Sequence, residues 1–159
     1  MDSLISQDNP TSAAQQLLHE GVQLLQQGDR VGAAQVLARA REVRETLLEA
    51  HGLIEQHALV GSFTNMTGLE CKISPEDDIF GFFASHPSSV NPLRDYFADG
   101  WRTLSELLLL LEAVDQPLLK TPQVLEFASG HGRFTRHLVK ALGAERVTVS
   151  DVVPGAVEF

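Results

Sequence analysis

Two carboxylates flank a run of small residues near the end of the sequence. Glu126 precedes the run Ala-Ser-Gly-His-Gly at 128–132, and Asp151 follows a second apolar stretch. A carboxylate is a natural acceptor for an ammonium group or for paired hydroxyl donors. Small residues let a ligand approach the backbone, and the free N–H groups of a helix start favour an anion. The pattern therefore predicts a binding site for a small polar molecule.

Two short strands and a helix must position these residues. Val124–Phe127 is predicted as a buried strand, 132–142 as a helix closed by Gly143, and 146–150 as the next strand. Such a unit places two parallel strands side by side with a right-handed crossover. The run 128–132 would then lie at the carboxyl edge of the sheet, where open α/β sheets bind ligands. The predicted fold class is therefore α/β.

The segment is similar to the first motif of class I S-adenosylmethionine-dependent methyltransferases. In that family a strand ends in an acidic residue, and a small residue and two glycines follow at alternate positions. Here the acidic residue is Glu126, the small residue is Ala128, and the glycines are Gly130 and Gly132. A second acidic residue closes the next strand, as Asp151 does. One departure is that the first small residue is alanine and not glycine. The resemblance extends over about 92–159, with motif support from 124 to 151.

The resemblance implies the start of a Rossmann-like domain that binds S-adenosyl-L-methionine and transfers its methyl group to an unidentified small-molecule or protein acceptor. Glu126 would hold the methionine end of the cofactor, directly or through water, and Asp151 would accept hydrogen bonds from the ribose hydroxyls. The implied cofactor-binding residues are Glu126, Phe127, Ala128, Ser129, Gly130, His131, Gly132, Asp151 and Val152. The catalytic residues are unknown, because in this family they usually come from later strands. We therefore expect the front part of a longer enzyme, inactive by itself.

Other cofactor and enzyme classes use similar residues but fit less well. A nicotinamide dinucleotide site requires a third glycine, and Arg133 and Phe134 stand where it would be. This oxidoreductase hypothesis is the weaker one. A phosphate-binding Walker loop ends in Gly-Lys-Ser/Thr, which is absent here. A hydrolase nucleophile elbow needs glycines two residues before and after Ser129, but Phe127 and His131 occupy those positions.

A helical hairpin is predicted ahead of this segment. Apolar residues from Leu17 to Leu25 share one helix face, Gly28-Asp29 breaks the chain, and a second apolar stripe runs from Ala33 toward Leu59. The spacing resembles a single tetratricopeptide repeat, although Glu45 replaces the usual proline and no second copy follows. The alternative function is therefore a non-enzymatic helical interaction module with a vestigial cofactor loop. The hairpin could also mediate self-association.

The predicted domains are a tetratricopeptide-like helical hairpin at 1–60, a connector with a short helix at 61–91, and the methyltransferase part at 92–159. Ser74 before Pro75 predicts a helix from Pro75 to Ala84, and Asn91-Pro92 predicts a longer one. Both pairs combine a side-chain cap with proline in the first helical turn.

Composition excludes several function classes. A net charge of −9 argues against nucleic acid as a partner, because phosphate binding needs basic side chains. Cys71 is the only cysteine, so a reducing compartment, the cytoplasm, is expected. The first residues lack a secretory pattern, and the apolar window 107–111 is far shorter than the roughly 20 residues of a membrane span. No spacing predicts a metal site, and His137 is expected to face out of its helix.

Overall fold

The computed structural model describes residues 10–159, which form two compact units, one ending at Lys72 and the other spanning Ile73–Phe159. Most of the described residues lie in helices. Within the described residues, none of the helices combines the length and apolarity needed to cross a membrane.

The first unit contains four helices: α1 (Pro10–Gln26), α2 (Arg30–Ala40), α3 (Leu47–Gln56) and α4 (Phe63–Thr67). The predicted break between α1 and α2 is confirmed. Gly28 adopts a φ of +80°, and the Asp29 side chain accepts a 2.9 Å hydrogen bond from the Gly32 amide. A side-chain acceptor of this kind satisfies one of the free amides of the first helical turn.

Gly21 explains how closely the first two helices pack. A Cβ atom at this position would lie 2.5 Å from Cδ2 of Leu37, which is fully buried on α2. Glycine therefore lets α1 approach α2. Together with Ala33 and Ala40, Leu37 belongs to the apolar core of this unit, which also includes Ala50 and Ile54 of α3.

The second arm of the predicted hairpin, from Ala33 toward Leu59, is not one helix but two, so this part of the hairpin prediction is wrong. Helix α2 ends at Ala40, turns follow, and α3 starts after Thr46. The buried Thr46 hydroxyl donates a 2.7 Å hydrogen bond to the carbonyl of Ala40. A side-chain donor thus takes the place of an amide that a continuing helix would supply, and the stripe is divided between two helices.

The second unit contains α5 (Asp78–Ser85), α6 (Pro92–Ala113), β1 (Val124–Phe127), α7 (Thr135–Leu142) and β2 (Val147–Ser150). Short 3₁₀ turns at Leu118–Lys120 and Ala144–Arg146 precede the strands. The core between α6, α7 and the first 3₁₀ turn is aliphatic and is formed by Leu104, Leu118, Leu138 and Leu142.

Helix α5 begins later than the sequence predicts. Its cap is Asp77, whose Oδ1 accepts a 3.0 Å hydrogen bond from the amide of Phe80. The hydroxyl oxygen of Ser74 instead accepts from the Glu76 amide in the preceding turn. The other oxygen of Asp77 accepts a 2.5 Å hydrogen bond from the hydroxyl of the fully buried Tyr96. This distant contact favours the later start. The Asn91 cap of α6 is confirmed.

The fold-class prediction is wrong. The strands β1 and β2 are parallel, in a register that pairs Val124 with Val147 and Phe127 with Ser150. These two four-residue strands are nevertheless the whole sheet in the described part of the chain, and no Rossmann-like domain is evident there. The outward side chains of β1 confirm this, because Leu125 and Phe127 are 63% and 78% exposed. A Rossmann-like sheet would bury them under a layer of helices.

Candidate functional site

The carboxyl ends of β1 and β2 bring the small-residue loop and the second acidic residue together. Pairing continues past the strand ends, because the Ser129 amide donates a 3.2 Å hydrogen bond to the carbonyl of Ser150. One residue further along each strand, the Gly130 amide donates a 2.6 Å hydrogen bond to Oδ2 of Asp151. The loop 128–132 and the Asp151 carboxylate therefore form one structural group.

The loop has left-handed backbone at alternate residues. The φ angles are +57° at Ala128, +55° at Gly130 and +81° at Gly132. This conformation is open to glycine without cost but unfavourable for alanine. A Cβ atom at Gly130 would meet no heavy atom within 4 Å, so the space beside this residue is open. The backbone geometry therefore explains the alternating glycines, and the open space would admit a ligand.

Asp151 is an ionised acceptor. Its Oδ1 accepts a 2.8 Å hydrogen bond from the Val153 amide, and its Oδ2 accepts the bond from Gly130. These two backbone donors lower the pKa of the carboxyl group, Val153 contributing most. Each carboxylate oxygen has capacity for a second hydrogen bond. The side chain can therefore accept further donors, such as the two hydroxyls of a ribose.

Glu126 is oriented toward α7, on the inner side of β1. Its Oε2 accepts a 2.6 Å hydrogen bond from the hydroxyl of Thr135, in the first turn of α7. Burial raises the pKa of Glu126, and the Thr135 bond opposes this shift only in part. The bond uses one carboxylate oxygen, which leaves Oε1 available to a cationic group.

The remaining predicted site residues differ in exposure. Ser129 and His131 are buried, and the His131 ring lies 6.1 Å from the Phe159 ring, centroid to centroid. Phe127 and Val152 are exposed to 78% and 92%. The structure thus brings together the loop and Asp151, holds Glu126 against α7, and leaves two apolar side chains at the rim.

Arg136 is a site residue that the sequence analysis missed. It is 8% exposed, and it donates hydrogen bonds to the carbonyls of Gly132, through Nε at 2.8 Å, and of His131, through Nη2 at 3.2 Å. Its guanidinium carbon also lies 5.5 Å from the ring centroid of Tyr96 and 5.7 Å from that of Phe97. Arg136 therefore fixes the end of the loop against α6. In the sequence, the feature that could have indicated this contact is the position of Arg136 four residues after Gly132, about one helical turn away.

Helix α6 also contacts the end of the loop through Arg133 and Gly100. Arg133 Nη1 lies 2.6 Å from Oδ2 of Asp99, in an ion pair with both side chains about one quarter exposed. A Cβ atom at Gly100 would lie 2.6 Å from the Arg133 carbonyl oxygen and 2.7 Å from Nε2 of His137. The glycine thus permits close packing of α6 on the start of α7.

The expectation that His137 faces out of its helix is wrong. The residue is 3% exposed, and its Nε2 has no hydrogen-bond partner in the described part of the chain. Burial lowers the pKa of His137, and the positive charges of Arg136 and Arg133 lower it further. The close approach at Gly100 encloses this ring, which makes it a packing residue of the α6–α7 contact.

Comparison of the chain with protein-family models, with curated proteins and with solved structures found no match. Within residues 10–159, no group of three or more His, Cys, Asp or Glu side chains is arranged to hold a metal ion.

Proposed function

We propose that the chain binds S-adenosyl-L-methionine at the loop 128–132 and takes part in the transfer of its methyl group to an acceptor. The observation that supports this most directly is the 2.6 Å hydrogen bond between the Gly130 amide and Asp151. It sets an ionised carboxylate beside an open glycine loop, a combination that suits a ribose with adjacent hydroxyls. The proposal rests on this site and does not require a layered α/β sheet.

Each carboxylate has a separate role in the proposal. Asp151 accepts hydrogen bonds from the ribose hydroxyls, and the free oxygen of Glu126 accepts from the ammonium group of the methionine part. The cofactor supplies an electrophilic methyl group when bound. The chain's own contribution is orientation and electrostatics, with Arg136 holding the loop in place.

Calorimetric titration of the full chain with S-adenosyl-L-methionine tests the proposal, with a nicotinamide dinucleotide as the competing cofactor. The variant Glu126→Gln keeps an oxygen for the Thr135 hydroxyl but removes the negative charge. We expect it to bind the cofactor about tenfold more weakly or worse, because a hydrogen bond to a charged group contributes roughly 1.5–3 kcal/mol.

Asp115→Asn is the matched control for this titration. Asp115 is exposed beyond the end of α6 and has a φ of +56°, a conformation that asparagine tolerates. It should bind like the wild type. Equal affinity of wild type and Glu126→Gln, or tighter binding of the dinucleotide, would contradict the assignment of the site.

A second candidate function is a non-enzymatic interaction module, located like the enzyme in the cytoplasm. The tight contact of Gly21 with Leu37 favours it, because small residues at a helix–helix contact are typical of helical repeat modules. In that case the chain would not bind S-adenosyl-L-methionine in the titration. Self-association measured by sedimentation would instead weaken on substitution of exposed residues of the hairpin.

A further inference from the structure

A small cavity lies in the second unit, between the end of α5 and the start of α6. Its volume is about 250 Å³. Three rings and three polar side chains line it: Phe82, Phe83, His86, Ser88, Ser89 and Asp95. Sites for drug-sized ligands usually span roughly 300–1,000 Å³, so this cavity suits a smaller group.

Three neighbouring rings form one wall of the cavity, with Phe82 and His86 exposed and Phe83 half-buried. The centroids of Phe82 and Phe83 lie 5.7 Å apart with the ring planes at 74°, and those of Phe82 and His86 lie 5.2 Å apart at 41°. Phe83 also makes an edge contact with Tyr96, which is fully buried. The face of an aromatic ring carries a negative potential that attracts cations, so a group of three rings beside one cavity favours a positively charged ligand.

A carboxylate completes the cavity. Oδ2 of Asp95 accepts a 2.7 Å hydrogen bond from the Ser89 hydroxyl, and Oδ1 accepts from Nε and Nη2 of Arg94 at 2.8 and 2.6 Å. Ser89 and then Arg94 lower the pKa of Asp95, which therefore stays ionised. The Arg94 side chain is 65% exposed, and its guanidinium offsets part of the Asp95 charge within this ion pair.

We propose that this cavity binds a small organic cation of the alkylammonium class. The ring faces attract the positive charge, the carboxylate of Asp95 adds a second attraction, and the apolar walls accommodate alkyl groups that an inorganic ion lacks. The site uses none of the residues assigned to the proposed methyl-transfer site. It would therefore stand even if that function were refuted.

Choline and its uncharged carbon analogue, in which a tert-butyl group replaces the trimethylammonium group, test the proposal on the full chain. The two molecules have the same shape and differ in charge. Saturation-transfer NMR titration should show choline binding saturably and about fivefold or more tightly than the analogue, since a cation over aromatic rings gains an attraction that a neutral group lacks. Equal binding of the two, or the absence of saturable choline binding, overturns the proposal.

Two variants test whether choline binds in the cavity. Asp95→Asn preserves an acceptor for Ser89 and should weaken choline about fivefold, whereas Phe82→Leu removes one ring and should weaken it about threefold. Asp115→Asn and Trp101→Leu are the matched controls, because both residues are exposed and neither lines the cavity. Binding unchanged in both cavity variants, with a native circular dichroism spectrum, would place the cation elsewhere and refute the assignment.

Discussion

The contact between α6 and α7 predicts that Gly100→Ala destabilises the second unit. In an exposed helix this substitution would stabilise by about 1 kcal/mol, because alanine is the better helix former. At Gly100 the added Cβ would lie 2.6 Å from the backbone carbonyl oxygen of Arg133, which cannot rotate away, and 2.7 Å from the buried His137 ring. Overpacking of a core commonly costs about 1–3 kcal/mol, and a backbone obstacle favours the upper end.

The expected net effect is a destabilisation of about 2 kcal/mol, the overpacking cost less the gain in helix propensity. For a unit of this size the melting temperature should fall by roughly 8–16 °C. Trp101 is the only tryptophan of the chain and adjoins Gly100, so its fluorescence follows unfolding of this unit specifically.

Gly81→Ala provides the matched control within the same unit. Gly81 lies in α5, is exposed, and its added Cβ would meet no heavy atom within 4 Å. This variant should be about 0.5–1 kcal/mol more stable than the wild type. If Gly100→Ala were as stable as Gly81→Ala, the close contact between α6 and α7 and the enclosure of His137 would both be refuted.

Three further predictions concern the loop and its neighbours. Ala128→Gly should stabilise the second unit by about 1 kcal/mol, because it relieves a left-handed alanine, whereas Ala141→Gly, at an exposed position in α7, should destabilise it by a similar amount in Trp101-monitored melts. Because the pKa of Glu126 is raised in the folded state, that state binds more protons than the unfolded state between the two pKa values. The free energy of unfolding should therefore fall as pH rises through that window. Urea titrations of Glu126→Gln should show a smaller pH dependence than those of the wild type. For His137 the folded pKa is lowered, so stability should fall as pH drops below about 6.5, the ordinary value, until the folded pKa is reached, and its NMR ring signals should remain those of the neutral form over that range.

Local signals in the sequence predict the local elements well. Gly28-Asp29 and Asn91-Pro92 each combine a side-chain acceptor with a residue suited to a turn or a first helical position, and the structure has a helix boundary at both. The strand at Val124–Phe127 was predicted with its observed bounds. At the two helix boundaries the determining interactions lie within three residues of each other, whereas the strand also needs its pairing with β2.

The failed predictions depended on contacts between distant residues. Helix α5 begins at Asp78 because Asp77 caps it, and the second oxygen of Asp77 is held by Tyr96, nineteen residues further on. His137 is buried because Gly100 on another helix approaches it. The fold class was inferred by extending one strand–helix–strand pattern to a whole layered sheet. A turn and two strand signals specify parallel pairing, but they do not determine how many strands a sheet contains or what covers Phe127.

The two hydrogen bonds of Asp77 have a consequence for how the sequence can vary. One oxygen fixes the first turn of α5 and the other holds a side chain of α6, so the two helices cannot slide past each other independently. Insertions or deletions between them must then be absorbed in the connection 86–91, which contributes His86, Ser88 and Ser89 to the cavity. Changes in the length of this connection would reshape the cation cavity while the helix pair stays in place.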